Sequence, residues 1–230
     1  MNSAKRITVL LADDHTVLRE GLKKLLEAEN DIEVVGEAAT GREAVELTRK
    51  LRPAVVVMDI AMPLLNGLEA TRQIRKEFPD IRVLILSAHS DDAYVEQAVL
   101  IGAAGFLLKQ TCSDNLGAAI REVQKGNTFF SSAISKRLQG RGQNAPDRRG
   151  QLKQGRNRLS SREAEVLQLI AEGKPNKQVA AELGVSFKTV DKHRQHLMAK
   201  LDIHDVSGLT RYAISAGIIE SSVQLTIVQP

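Results

Sequence analysis

Over the first 125 residues, short runs of consecutive apolar residues alternate with longer stretches whose apolar positions recur every three or four residues. The runs at 7–11, 32–37, 54–58, 83–86 and 105–108 predict strands, and the stretches at 17–28, 43–51, 67–78, 93–101 and 115–124 predict helices. The third run, Ala54–Met58, is apolar at every position, as a parallel strand covered on both faces requires. Five strand-then-helix repeats predict a doubly wound α/β domain over 1–125 with five parallel strands. Residues 126–158 read as a connector helix followed by a linker. From Gly140 to Arg158 the chain turns to Gly, Arg, Gln and Asn, and a flexible coil of that length spans about 25 Å. A second, all-α domain follows at 159–220, with helical segments at 162–171, 177–183, 187–201 and 206–216. Ser160 or Ser161, Asn176 and Ser186 stand where helix caps belong, and Glu163 is placed for the reciprocal bond of a capping box.

Composition narrows the class. Of 230 residues, 43% are apolar and 26% charged, which excludes disorder as the main state. No apolar run approaches the ~20 residues of a spanning helix, so no membrane association is expected. One cysteine, Cys112, excludes an internal disulfide, and the expected compartment is the cytoplasm. The net charge of +4 divides into −3 over residues 1–130 and +7 over 131–230. Residues 131–158 hold eight basic side chains and one acidic, whereas 159–230 hold eight of each. The basic balance is mostly a property of the linker, so nucleic-acid binding has to be argued from local pattern.

Three carboxylates fall at the carboxyl ends of predicted strands: Asp13 and Asp14 after the first, Asp59 after the third. In open parallel sheets ligands collect at that edge, where the strand order reverses. An order of 2-1-3-4-5 makes the first and third strands neighbours and gathers all three acids. Such a cluster calls for a hard divalent cation, and Mg²⁺ suits oxygen ligands beside phosphate. Ser87 ends the fourth strand and Lys109 the fifth, bringing a hydroxyl and an ammonium to the same edge. An aspartate nucleophile flanked by Mg²⁺, serine and lysine suits an acyl-phosphate intermediate.

The segments ADD at 12–14, MDIAMPLLNG at 58–67, SAH at 87–89 and GAAGFLLK at 102–109 resemble a two-component receiver domain over about 125 residues. The resemblance implies that Asp59 accepts phosphate from a histidine kinase. It implies that Asp14, Asp59 and the backbone carbonyl of Ala61 bind Mg²⁺ directly, with Asp13 acting through water. Lys109 and Ser87 would contact the phosphoryl group, and Phe106 occupies the aromatic switch position. Many receivers carry Pro where Gln110 follows Lys109, which removes the usual reason for a cis peptide there.

From LSSREAEVL at 159–167 to HRQHLMAKL at 193–201 the chain resembles the helix-turn-helix module of LuxR-type regulators, and the whole resembles a NarL/FixJ-type response regulator. On the segment 187–201, Val190, Leu197 and Leu201 form an apolar face. The opposite face carries Lys188, Thr189, Asp191, Lys192 and Gln195, a row fit for a major groove. Lys192 is placed to donate to guanine, Gln195 to pair with adenine and Asp191 to accept from cytosine. Lys177, Lys188, Thr189 and Arg194 suit phosphate contacts. A single module binds weakly, so a homodimer on double-stranded DNA with two-fold-related half-sites is expected. The resemblance implies dimerisation on the last helix, here Val206, Leu209 and Ala213, a stripe that serves equally as the domain's closing core helix.

The expected function is a transcription regulator gated by phosphorylation, with RNA polymerase a further candidate partner. It is no enzyme beyond its own phosphoryl transfer and dephosphorylation. A phosphohydrolase with an Asp59 nucleophile would want a second carboxylate two residues on, where Ala61 stands. RNA binding would want an aromatic platform, which 159–217 lacks.

Overall fold

The computed structural model describes residues 6–88, 92–130 and 159–219. The first domain contains β1 (Ile7–Ala12), α1 (Thr16–Glu27), β2 (Ile32–Ala38), α2 (Gly41–Leu51), β3 (Val55–Asp59), α3 (Gly67–Glu77), β4 (Arg82–Ser87), α4 (Asp92–Leu100), β5 (Gly105–Leu108) and α5 (Cys112–Gln124). A single 3₁₀ turn at Lys109–Thr111 joins β5 to α5. β6 (Phe129–Phe130) then extends the sheet to six strands in the order β2-β1-β3-β4-β5-β6, all pairs parallel.

The sixth strand departs from the five expected. Two residues are too short to carry a period in sequence, yet Gly126 at φ 96° turns the chain back and the Phe129 N–H donates to the Ala104 carbonyl at 2.9 Å. The rings then pack to opposite sides of the sheet, Phe130 on one core and Phe129 on the other. The expected connector helix and basic linker beyond residue 130 lie outside the described residues.

Alternation along each strand builds two cores from one sheet. Leu10, Val56, Met58, Ile85 and Phe106 face Ala44, Val45, Ile74 and Ala98 of α2, α3 and α4. Val9, Leu11, Val55, Val57, Leu84 and Leu86 face Leu22, Leu26, Leu116 and Ile120 of α1 and α5. Every residue of β3 is buried, as its unbroken apolar pattern predicted.

The second domain contains α6 (Ser161–Ala171), α7 (Asn176–Leu183), α8 (Phe187–Leu201) and α9 (Val206–Ser215). The capping box forms as expected: Ser160 accepts from the Glu163 N–H, and Glu163 accepts from the Ser160 N–H at 2.8 Å. At α7 the cap is corrected. Pro175 occupies the N-cap position and Asn176 lies inside the helix, where its side-chain oxygen accepts from Arg194 at 3.1 Å. Pro supplies the extended backbone that precedes a helix without needing a side-chain bond, which frees the Asn oxygen. Gly184, at φ 62°, ends α7 in the left-handed conformation and turns the chain into α8.

The two domains meet along the loop that joins β3 to α3. Gln168 of α6, 1% exposed, uses both ends of its amide: Oε1 accepts from the Asn66 N–H at 2.7 Å, and Nε2 donates to the Met62 carbonyl at 2.9 Å. Glu172 accepts from the Leu64 N–H at 3.0 Å, and Glu165 accepts from Gln73 at 2.9 Å. Leu64, held at φ 67°, packs onto the core of the second domain. α8 takes no part in these bonds.

The same loop requires Gly67. A Cβ there would lie 1.7 Å from the Asp59 carbonyl oxygen, a backbone atom with no room to retreat. Gly67→Ala is expected to lower unfolding stability by at least about 1–3 kcal/mol, the usual cost of overpacking, measured by denaturant titration. A wild-type midpoint would show that the loop is softer than its contacts require.

Candidate functional site

β1 and β3 are neighbours in register, Ala12 beside Met58, so Asp13 and Asp59 leave the sheet together. Each is 2% exposed. Leu108 pairs with Ser87 at the far side of β4, so Lys109 leaves the sheet at the same edge. Its ammonium stands 2.9 Å from Asp13 Oδ2 and 2.8 Å from Asp59 Oδ2, and neither oxygen has another partner. Ser87 is buried at the end of β4. The four strand ends therefore gather the residues expected there.

The charge balance is uneven. Burial pushes the Asp59 carboxyl from 3.8 up to about 7; the Lys109 ammonium pulls it back in part, and Asp13 and Asp14 push it further up. Burial opposes the Lys109 charge, but Asp59 and Asp13 outweigh it and hold the ammonium above its ordinary value. One cation thus serves two buried anions, with Asp14 close by. One ligand atom from each of Asp13, Asp14, His15 and Asp59 can be chosen so that all lie within 4.8 Å of one another. That spacing and donor set fit a single divalent cation.

Phe106 is 1% exposed, in line with Ile85 and Phe130 across the sheet. Ala61 stands two residues past β3, at the start of the loop that Gln168 grips. Among the described residues no peptide bond is cis, the one after Lys109 included.

On the second domain, Val190 and Leu197 are buried and Leu201 packs on the same core, as the apolar face predicted. Lys188, Lys192, Gln195 and Lys177 are exposed, while Thr189 and Asp191 are half-buried. Ser186 caps α8 by accepting from the Thr189 N–H, and Gln195 donates to Asp191 at 3.0 Å. Arg194 is half-buried and turned to Asn176, away from the role of a free phosphate contact. Leu209 and Ala213 are 0% exposed in the module's own core, because the spacing that makes a stripe on α9 also makes its buried face. Of the three expected dimer residues only Val206, at 43%, reaches the surface.

Sequence reasoning missed Gln168 and Glu172, whose signal was a polar pair at helical spacing within and just past the apolar second half of α6. It passed over Phe187, an aromatic 57% exposed at the first position of α8, and His15, directly after two acids.

Residues 9–121 match the family model of the response regulator receiver domain, and residues 157–213 that of the luxR family of bacterial regulatory proteins. The chain is 38% identical to the transcriptional regulatory protein MctR of Rhizobium johnstonii over 219 residues, covering 95% of this chain and 98% of that protein. The chain belongs to the LuxR-type response regulators. The transcriptional regulatory protein LiaR of Bacillus subtilis is a further relative, 39% identical over 90% of this chain and 96% of its own. A structure of two RcsB dimers bound to two parallel DNAs superposes with a TM-score of 0.55 at 28% identity, covering 92% of this chain and 99% of that one. This response regulator thus joins a receiver to a LuxR-type DNA-binding domain, and no helix among its described residues is long and apolar enough to cross a membrane.

Metal-free, the receiver is expected to lose stability as pH rises from about 4 through about 7. Over that range folded Asp59 keeps a proton that the unfolded chain gives up. Thermal denaturation in chelator should show this slope, and Asp59→Asn should flatten it. Mg²⁺ at one hundred times its dissociation constant should add about 2.7 kcal/mol to the wild type and little to Asp14→Asn. A flat profile without metal would contradict the charge imbalance at this edge.

Proposed function

We propose that Asp59 is the phosphoacceptor, that its phosphorylation by a histidine kinase gates the DNA-binding domain, and that the active form is a homodimer on promoter DNA in the cytoplasm. An Asp59 carboxylate oxygen attacks the phosphorus of a phosphohistidine; the P–N bond breaks and an acyl phosphate forms. Mg²⁺ held by Asp14, Asp59 and the Ala61 carbonyl, with Asp13 acting through water, would offset the charge on the phosphoryl oxygens. Lys109 follows the new charge, leaving its pairing with the free Asp59 carboxylate, and Ser87 donates a hydrogen bond to the group. The protein is no enzyme beyond this transfer and its reversal by water. The observation that carries the reading is the single Lys109 ammonium shared by buried Asp13 and Asp59.

The grip of Gln168 and Glu172 on the loop at 62–66 supports a short path from phosphoacceptor to DNA-binding domain. Any rearrangement of that loop alters three hydrogen bonds to α6. The phosphorylated loop favours release, and the released module pairs through the exposed side of α9, where Val206 and Ile214 reach the surface. Lys188, Lys192, Gln195 and Asp191 then address the major groove. Lys177 and Thr189 hold the backbone, and Arg194 joins them where its bond to Asn176 opens. RNA polymerase is the natural next partner of such a dimer.

Binding to genomic fragments, measured with and without beryllofluoride while oligomeric state is recorded, tests this. Beryllofluoride should raise affinity together with dimer content, and Asp59→Asn should abolish the gain. Gln168→Ala should raise affinity at least about fivefold without beryllofluoride, the lower range of measured couplings. A gain that survives in Asp59→Asn would defeat the gating; a Gln168→Ala protein that behaves as wild type would remove the loop as its route.

A further inference from the structure

The acidic edge contains a nitrogen that an Mg²⁺ site does not need. His15 follows Asp14 and stands at the N-cap of α1, where its backbone N–H donates to Asp13 Oδ1 at 2.8 Å. That bond fixes the start of the side chain. Nδ1 then lies 2.8 Å from Asp14 Oδ1 and 3.3 Å from Asp13 Oδ1, and Asp14 Oδ1 has no hydrogen bond of its own. An octahedral ion with bonds of about 2.0–2.1 Å separates adjacent ligands by about 3 Å and opposite ligands by about 4 Å. The His15 nitrogen lies at the adjacent-ligand spacing from Asp14, and one atom from each of Asp13, Asp14, His15 and Asp59 gathers within 4.8 Å, so small side-chain turns bring His15 into the same coordination sphere. The ring is 61% exposed, so it can turn onto a bound ion without repacking the core.

We infer that His15 is a fourth protein ligand of this site, beside Asp14, Asp59 and the Ala61 carbonyl, and sets its metal preference, giving Ni²⁺ and Zn²⁺ an advantage over Mg²⁺ that oxygen ligands alone would not confer. Imidazole suits Ni²⁺ and Zn²⁺, whereas Mg²⁺ favours hard oxygen and keeps its waters. The inference rests on the reading of the acidic edge as a cation site.

Calorimetric titration of the full chain with Mg²⁺ and with Ni²⁺ tests it, alongside pulsed electron paramagnetic resonance of the Mn²⁺-loaded protein. His15→Ala should weaken Ni²⁺ at least about tenfold while Mg²⁺ shifts less than about twofold. The ¹⁴N modulation of Mn²⁺ should be present in the wild type and absent from His15→Ala. His15→Gln, which keeps a polar side chain without imidazole, should behave as His15→Ala. Unchanged Ni²⁺ affinity, equal losses for both metals, or no ¹⁴N coupling in the wild type would each overturn the assignment. Failure of the wild type to bind any of these ions would instead overturn the cation site itself, which Asp14→Asn tests separately.

Discussion

Two buried carboxylates competing for one ammonium is the constraint on which the molecule turns. Sequestering anions in a protein interior is costly unless they are paired, and here the pairing is one charge short. The edge of the sheet is therefore poised to accept positive charge. It is equally sensitive to any group that draws Lys109 away from Asp59. A site at its electrostatic optimum would resist modification; this one is held in place by β1, β3 and β5, whose burial on both faces leaves the acids nowhere to relax.

That rigidity extends outward along a single route. Gly67 presses against the Asp59 carbonyl, Asn66 caps α3 by accepting from the Glu69 N–H, and Gln168 joins the loop between them to α6. Each link is short and buried. The second domain is thus attached to the part of the receiver whose backbone is most tightly coupled to the acid cluster. α8 makes none of those hydrogen bonds, and Lys188, Lys192 and Gln195 on it stay exposed.

Much of this was legible in the sequence because it rests on periodicity and on strand ends. The run Val55-Val56-Val57-Met58 announces a strand buried on both faces, and the residues just past such strands converge whatever the loops do. Asp13, Asp14, Asp59, Ser87 and Lys109 were found by that logic. The short strand at Phe129–Phe130 was not, since two residues carry no period and only the sheet edge beside them selects the conformation. Leu209 and Ala213 show the converse limit: one stripe on a helix satisfies an interface and a core equally, and only the packing of α9 on α6 decides. Gln168 was invisible for a different reason. A polar residue on an apolar helix gains its meaning from a partner more than one hundred positions away.

Across the domain boundary the amide of Gln168 touches main-chain atoms alone, one N–H and one carbonyl, while Nε2 also donates to Glu172 of its own segment at 2.8 Å. Side chains along the loop can drift without loosening the grip, whereas a peptide-plane flip at 62–66 undoes it at once. What α6 monitors is therefore contour, not chemical identity. Relatives could diversify their loop residues to suit different upstream partners while this joint between sensor and reader stays intact.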